Sequence, residues 1–129
     1  MKDNRPSLNE QDVWLHVAAP SLKSFESNEV TGKWCIFRSE HEIDESWARI
    51  RELAAQEKIL LAKVSTAIGR RYQEGHVICI YTWDWHDPAD LMAVRQVLRD
   101  AGFTEELGYK RDIDTERRIY GPEEWYLRA

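Results

Sequence analysis

His76-Val77-Ile78-Cys79-Ile80-Tyr81-Thr82-Trp83, residues 76–83, is the most strand-like stretch of this chain. β-Branched and aromatic residues dominate it, and such side chains fit a pleated, half-buried surface. Alternation puts Val77, Cys79, Tyr81 and Trp83 on one face, with His76, Ile78, Ile80 and Thr82 on the other. Both faces are largely apolar, so the strand is expected in the middle of a sheet with partial cover on each side.

The next segment is the best-signalled helix. Asp87 suits the N-cap, Pro88 the first helical position and Asp90 the third. Leu91, Val94, Leu98 and Ala101 form a buried stripe, and Gly102 can end the helix in a left-handed conformation. Upstream, Leu60 to Thr66 predicts a strand, and the connection from Gly69 to Gly75 carries Arg70 and Arg71. A second helix is expected from about Ile43 to Lys58, where Ile43, Trp47, Ile50 and Ala54 repeat at helical spacing. Asp44 and Glu45 suit the positive end of its dipole.

Lys33 to Arg38, led in by Gly32, reads as a further strand. Leu107 to Arg111 reads as another, followed by a polar stretch and a closing strand from Glu124 to Arg128. At the start, Ser7-Leu8-Asn9-Glu10 fits a capping box, and Val13, Trp14 and Val17 would form one face of a short helix stopped by Pro20. Residues 20–31 read as a loop. The expected organisation is an N-terminal helix and loop over 1–31 and a single α+β domain over 32–129. Helices do not alternate regularly with strands, which disfavours a doubly wound parallel sheet. The expected architecture is α+β: a mostly antiparallel sheet with two helices on one face, the other face open to a ligand.

The 129 residues suffice for one core without disulfides or metals. Hydrophobic residues make up 43% and charged residues 32%, a globular composition. The net charge of −5 provides no general attraction for nucleic acid, so nucleotide binding would have to be local and shaped. Apolar runs such as Val77 to Tyr81 are too short to span a bilayer, and the polar start carries no signal core. The expected location is the cytoplasm. Cys35 and Cys79 each sit in an apolar strand and read as small buried hydrophobes, reduced and inert. The expected compartment argues against a structural disulfide, the lack of a Cys-x-x-Cys pair argues against zinc, and no cofactor is called for.

No nucleophile elbow, phosphate loop or dinucleotide fingerprint is present in the sequence. Three features remain as candidates. Lys63 interrupts the apolar run Leu60-Leu61-Ala62-Lys63-Val64, either as an edge residue or as an anion holder or base on the open face. A base must be neutral, so its pKa would have to fall well below the reference of about 10.4. Tyr81, Trp83 and Trp85 would pack in the core or offer a platform for a flat ligand. Lys110, Arg111, Arg117 and Arg118, interleaved with Asp112, Asp114 and Glu116, form either a solvated mixed-charge surface or a phosphate grip near Tyr109. His76 and His86 read as ordinary polar residues.

Gly32-Lys33-Trp34-Cys35-Ile36-Phe37, the Trp47 helix, Ala62-Lys63-Val64-Ser65-Thr66 and His76 to Thr82 together resemble the basophilic leukaemia-expressed protein family. Asp87 through Gly102, Tyr109-Lys110 and Ile119-Tyr120 fit the same pattern, which covers about residues 30–128. The resemblance implies a fold like that of the cap-binding translation initiation factor 4E, a curved antiparallel sheet backed by helices. It also implies a phosphothreonine lyase label, drawn from bacterial effectors that remove phosphate by β-elimination. Lys63 in Lys63-Val64-Ser65 matches their general-base lysine, and Lys110 and Arg111 match phosphate-gripping arginines. Cys35 stands where their general-acid histidine belongs, and a thiol is a poor proton donor to a departing phosphate.

The resulting expectation is a binding domain for a phosphorylated small molecule or phosphopeptide on the open sheet face. Its ligand residues would be Lys63, Tyr81, Trp83, Lys110 and Arg111. The alternatives are a β-eliminating lyase with Lys63 as base, and a protein-interaction domain with no small ligand. Neither a membrane nor non-specific nucleic acid is an expected partner. Ligand identity and oligomeric state stay open.

Overall fold

The computed structural model describes residues 4–68, 75–117 and 125–129. In chain order the elements are β1 (Trp14–Ala18), β2 (Gly32–Arg38), α1 (Ile43–Ala55), β3 (Leu61–Ser65) and β4 (His76–Thr82). They continue with α2 (Pro88–Asp100), β5 (Gly108–Arg111), α3 (Asp112–Glu116) and β6 (Leu127–Arg128). Arg70, Arg71, Arg118, the Ile119-Tyr120 pair and Glu124 lie outside the described residues.

The strands make one antiparallel sheet in the order β1-β3-β4-β2-β5-β6, with β4 in the interior as its composition predicts. α1 carries the chain from β2 across β4 to β3, and α2 carries it from β4 across β2 to β5. The two crossovers run in opposite lateral directions from strands of opposite sense. Right-handed connections of that kind put both helices on the same face. The core confirms it: Trp47, Ile50, Leu53, Leu91 and Leu98 pack with Trp34, Ile36, Ala62, Val64, Ile78, Ile80 and Tyr109. Val94 is half-buried at the margin of this cluster.

Local signals account for α2 well. Asp87 accepts a hydrogen bond from the Ala89 amide at 3.0 Å, Pro88 opens the helix, and Gly102 has φ 101° just past its end. Three expectations need correction. The segment read as a capping-box helix folds as β1, pairing Trp14 with Ser65 through to Ala18 with Leu61. Ser7 donates its hydroxyl and amide to Asp44 at 2.5 and 3.0 Å, while Asn9 closes a turn by accepting from the Gln11 and Asp12 amides. Strand pairing with β3 outweighs the helical signal because Leu15 and Val17 then reach the core. The polar stretch after β5 contains the short helix α3. The closing strand is limited to Leu127–Arg128 among the described residues.

A close approach explains Gly32. A Cβ there would strike the hydroxyl and ring of Tyr109, which is fully buried and hydrogen-bonded to Thr82 at 2.6 Å. Gly32→Ala is expected to destabilise the protein by about 1–3 kcal/mol through overpacking. A lower urea midpoint with an unchanged denaturant slope is the expected reading; an unchanged midpoint would show that Tyr109 moves freely.

Candidate functional site

Alternation along the strands leaves one face of the sheet without α1 or α2. In a row across it stand His16, Lys63, Cys79 and Cys35, each the direct neighbour of the next, with Gly108 beyond Cys35. In the adjacent row Lys33 is the direct partner of both Tyr81 and Lys110. Three lysines therefore share one face. Gly108 is required here, because a Cβ would run into the Trp125 indole. Trp125 and Trp14 flank the cysteines, and together with Tyr81 and Val77 they form a second, smaller apolar cluster.

Lys33 and Lys110 are both 8% exposed. Asp112 answers the first: its Oδ1 lies 2.5 Å from Lys33 Nζ, and Thr115 Oγ1 accepts from the same ammonium at 3.2 Å. The other Asp112 oxygen accepts from Thr31 and Ser27 hydroxyls at 2.7 and 2.8 Å. Burial pushes the Asp112 carboxyl up, but the Lys33 hydrogen bond and charge, with the two hydroxyls, outweigh it and hold it below its ordinary value.

Lys63 is half-buried, with Nζ 4.0 Å from the centre of the Trp14 ring, and among the described residues it makes no ion pair. Burial lowers its pKa and the Lys33 charge adds to this, against opposition from Cys79, Asp112 and Cys35. This is the direction a general base requires and also the signature of a cation held apart from water. Cys35 sits well above the ordinary thiol range, because it donates a hydrogen bond to Cys79 and is buried. As a neutral thiol engaged by its neighbour, Cys35 is poorly placed to protonate a leaving phosphate.

The loop before β2 borders this face. Phe25 meets the Tyr81 ring edge-on at 5.3 Å and lies 5.0 Å from Trp83, which is 47% exposed just past the end of β4. Phe25 carries no recognisable signal in the sequence; only the loop's path shows its place. Burial raises the Tyr81 phenol, so it remains neutral.

Of the predicted ligand residues, the structure brings Lys63, Tyr81 and Lys110 onto one face and puts Trp83 at its rim. Arg111 is not among them. Strand alternation turns it to the face of Tyr109, where it grips Asp114 at 2.7 and 2.8 Å and lies over the Trp85 and Tyr126 rings. Lys33 and Asp112, the most tightly connected polar pair of the face, were not among the predicted site residues. Lys33 lay hidden in an ordinary strand pattern, and Asp112 in a mixed-charge run. His76 is buried with Nδ1 2.8 Å from the Ser65 carbonyl, and His86 stacks on Trp85 at 3.7 Å.

A cleft of about 760 Å³ opens at the far end of β2, lined in part by Phe37, Arg38, His41, His76 and Glu105. Its arginine is matched internally, Arg38 to Glu105 at 2.5 Å. It meets the lysine face at Phe37, whose ring packs edge-on against Trp125 at 6.1 Å, but contains none of the three lysines.

Solved structures share this architecture. A complex of C. elegans eIF4E-3 with the 4E-binding protein Mextli and cap analog matches with a TM-score of 0.68 and 16% identity, over 90% of this chain and 68% of that one. Ascaris suum eIF4E-3 with m2,2,7G cap matches with a TM-score of 0.62 and 15% identity, over 88% of this chain and 67% of that one. At such identity the likeness establishes the fold: a curved antiparallel sheet of the eIF4E type. The sequence also matches the model for basophilic leukemia-expressed protein Bles03 across residues 22–118, so the chain belongs to that family.

Proposed function

We propose that the open sheet face binds a phosphorylated ligand, either a nucleotide or a phosphopeptide. The observation that carries this reading is the gathering of Lys33, Lys63 and Lys110 on the one face that α1 and α2 leave uncovered. Lys63 is the member that meets the phosphate: Lys33 is engaged by Asp112, whereas among the described residues Lys63 makes no ion pair and has the Trp14 ring against its ammonium. Phe25 and Trp83 supply an exposed aromatic edge for the remainder of the ligand. A stacked base on such an edge is worth about 1–3 kcal/mol. The two eIF4E-3 neighbours, solved with cap analog and with m2,2,7G cap, support a nucleotide as the first ligand to try. The same reading puts the protein in the cytoplasm. No helix among the described residues is long and apolar enough to cross a membrane.

The test is a thermal-shift and calorimetric titration with a methylated cap nucleotide, GTP, inorganic phosphate and a phosphothreonine peptide. A ligand at 100 times its dissociation constant should stabilise by about 2.7 kcal/mol. Lys63→Ala should weaken that ligand about tenfold, a loss of about 1.4 kcal/mol. Affinity should also fall as pH rises towards the alkaline range, earlier than an ordinary lysine at about 10.4 would dictate, because Lys63 must be charged to hold the phosphate. Ligands recovered chemically unchanged fit binding. Loss of phosphoric acid from the peptide, abolished by Lys63→Ala, would identify the lyase alternative. No response to any of the four, with Lys63→Ala silent, would leave the interaction domain.

A further inference from the structure

Cys35 and Cys79 are direct Cα partners on the antiparallel strands β2 and β4, and their side chains belong to the same small cluster on the open face. Neither the apolar runs around them nor their separation in sequence hints at this pairing. Directly opposed residues of antiparallel strands have Cα atoms about 4.5–5.5 Å apart. That lies inside the range of about 4.4–6.8 Å that a disulfide accepts. The structure assigns the two cysteines a dithiol role: a small hydroperoxide converts them to an intrachain disulfide joining the two central strands.

The surroundings favour an asymmetric pair. The hydrogen bond from Cys35, with help from Lys63 and Lys33, lowers the Cys79 pKa against the effect of burial, while Cys35 is raised and keeps its proton. Lys63 on β3 is the direct cross-strand partner of Cys79, whereas the other cross-strand neighbour of Cys35 is Gly108, so the cation that favours a thiolate adjoins Cys79. Thiolate is the nucleophilic form, which makes Cys79 the attacking sulfur and Cys35 the resolving one. Residual exposure is 4% and 5%, beneath the side chains of Trp14, Tyr81 and Trp125, which restricts the oxidant to a small molecule.

The chemistry closes without any other reactant. The Cys79 thiolate attacks one oxygen of hydrogen peroxide, the O–O bond breaks, and the sulfur becomes a sulfenic acid. The departing hydroxide takes a proton and leaves as water. Cys35 then gives up its proton and attacks the Cys79 sulfur; the S–O bond breaks, and that hydroxide leaves as a second water. Two thiols are oxidised by two electrons, and one peroxide is reduced by two.

The experiment uses the full chain with a small excess of hydrogen peroxide under native conditions, with circular dichroism confirming that the fold is kept. The expected product is a monomer lighter by two hydrogens, with no free thiol and a protease fragment linking residues 35 and 79, restored by dithiothreitol. Cys35→Ser should stop the reaction at a Cys79 sulfenic acid that dimedone traps. Cys79→Ser should leave Cys35 a slowly reacting thiol. Any of four results overturns the proposal. These are two intact thiols after treatment, disulfides between chains, a bond formed only in denaturant, or a Cys35 that reacts faster in Cys79→Ser than Cys79 does in Cys35→Ser. Phosphate binding is not involved, so this outcome is independent of the ligand proposed for the same face.

Discussion

Arg95→Met is expected to destabilise the protein by about 3–5 kcal/mol, a large share of the roughly 5–15 kcal/mol that holds a domain folded. Arg95 lies on the helical stripe of α2 and is fully buried. Its Nε donates to the Ala129 carbonyl at 2.9 Å, and its two terminal nitrogens donate to Phe103 at 2.9 Å and Glu105 at 2.6 Å. One guanidinium thus ties α2 to the chain that follows it and to the segment after β6. Its carbon atom also lies 6.0 Å from the Trp34 ring, whose Nε1 donates to the Leu91 carbonyl at 3.1 Å. Methionine fills similar volume but donates nothing, and each buried carbonyl left unmet costs about 1–3 kcal/mol. Arg95→Lys should recover only part of the loss, because one ammonium cannot span three divergent acceptors. Urea denaturation checks both variants. A loss below about 1 kcal/mol for Arg95→Met would mean that water replaces the three bonds.

Asp112→Ala should be nearly as damaging, again about 3–5 kcal/mol, for an electrostatic reason. It strands the Lys33 ammonium, 8% exposed, and releases Ser27 and Thr31, which anchor the loop before β2. The double variant Lys33→Met with Asp112→Leu should lose much less than the sum of the two single changes, since no buried charge is left alone. The pH dependence has a definite sign. The carboxyl pKa is depressed in the folded state, so its contribution is complete above the unfolded value of about 3.9. It is lost as pH falls through the lower folded value. Stability of the wild type should therefore drop more steeply with acid below about pH 4 than that of the double variant; parallel acid curves would show that the pair contributes nothing.

These two residues mark where reading the sequence stops. Arg95 stands beside Val94 on a helix whose apolar stripe and caps are plain, yet nothing local reveals that three distant carbonyls converge on it. Asp112 reads as one member of a mixed-charge run, and only the long-range antiparallel pairing of β2 with β5 brings it to Lys33. The failed expectation at residues 7–18 has the same origin. A capping box and a three-residue apolar spacing are genuine local signals, but five paired residues on β3 and burial of Leu15 and Val17 decide the segment. Arg111 shows the opposite error. Adjacent to Lys110 in sequence, it is placed by the pleat on the other face.

The sequence by itself determined the central strand at 76–82, the helices near 43 and 88 with the caps of the second, and the sheet-plus-helices class. It also determined the alternation within that strand that sends Cys79 and Tyr81 one way and Ile78 and Ile80 the other. Each depends on residues within a turn or two of one another, where propensity and periodicity act directly. Only the tertiary structure decided that β1 is a strand, that Lys33 and Asp112 form a buried pair, that Phe25 joins Trp83, and that Cys35 faces Cys79. Those outcomes rest on which strand lies beside which, and strand register is set by contacts between residues tens of positions apart.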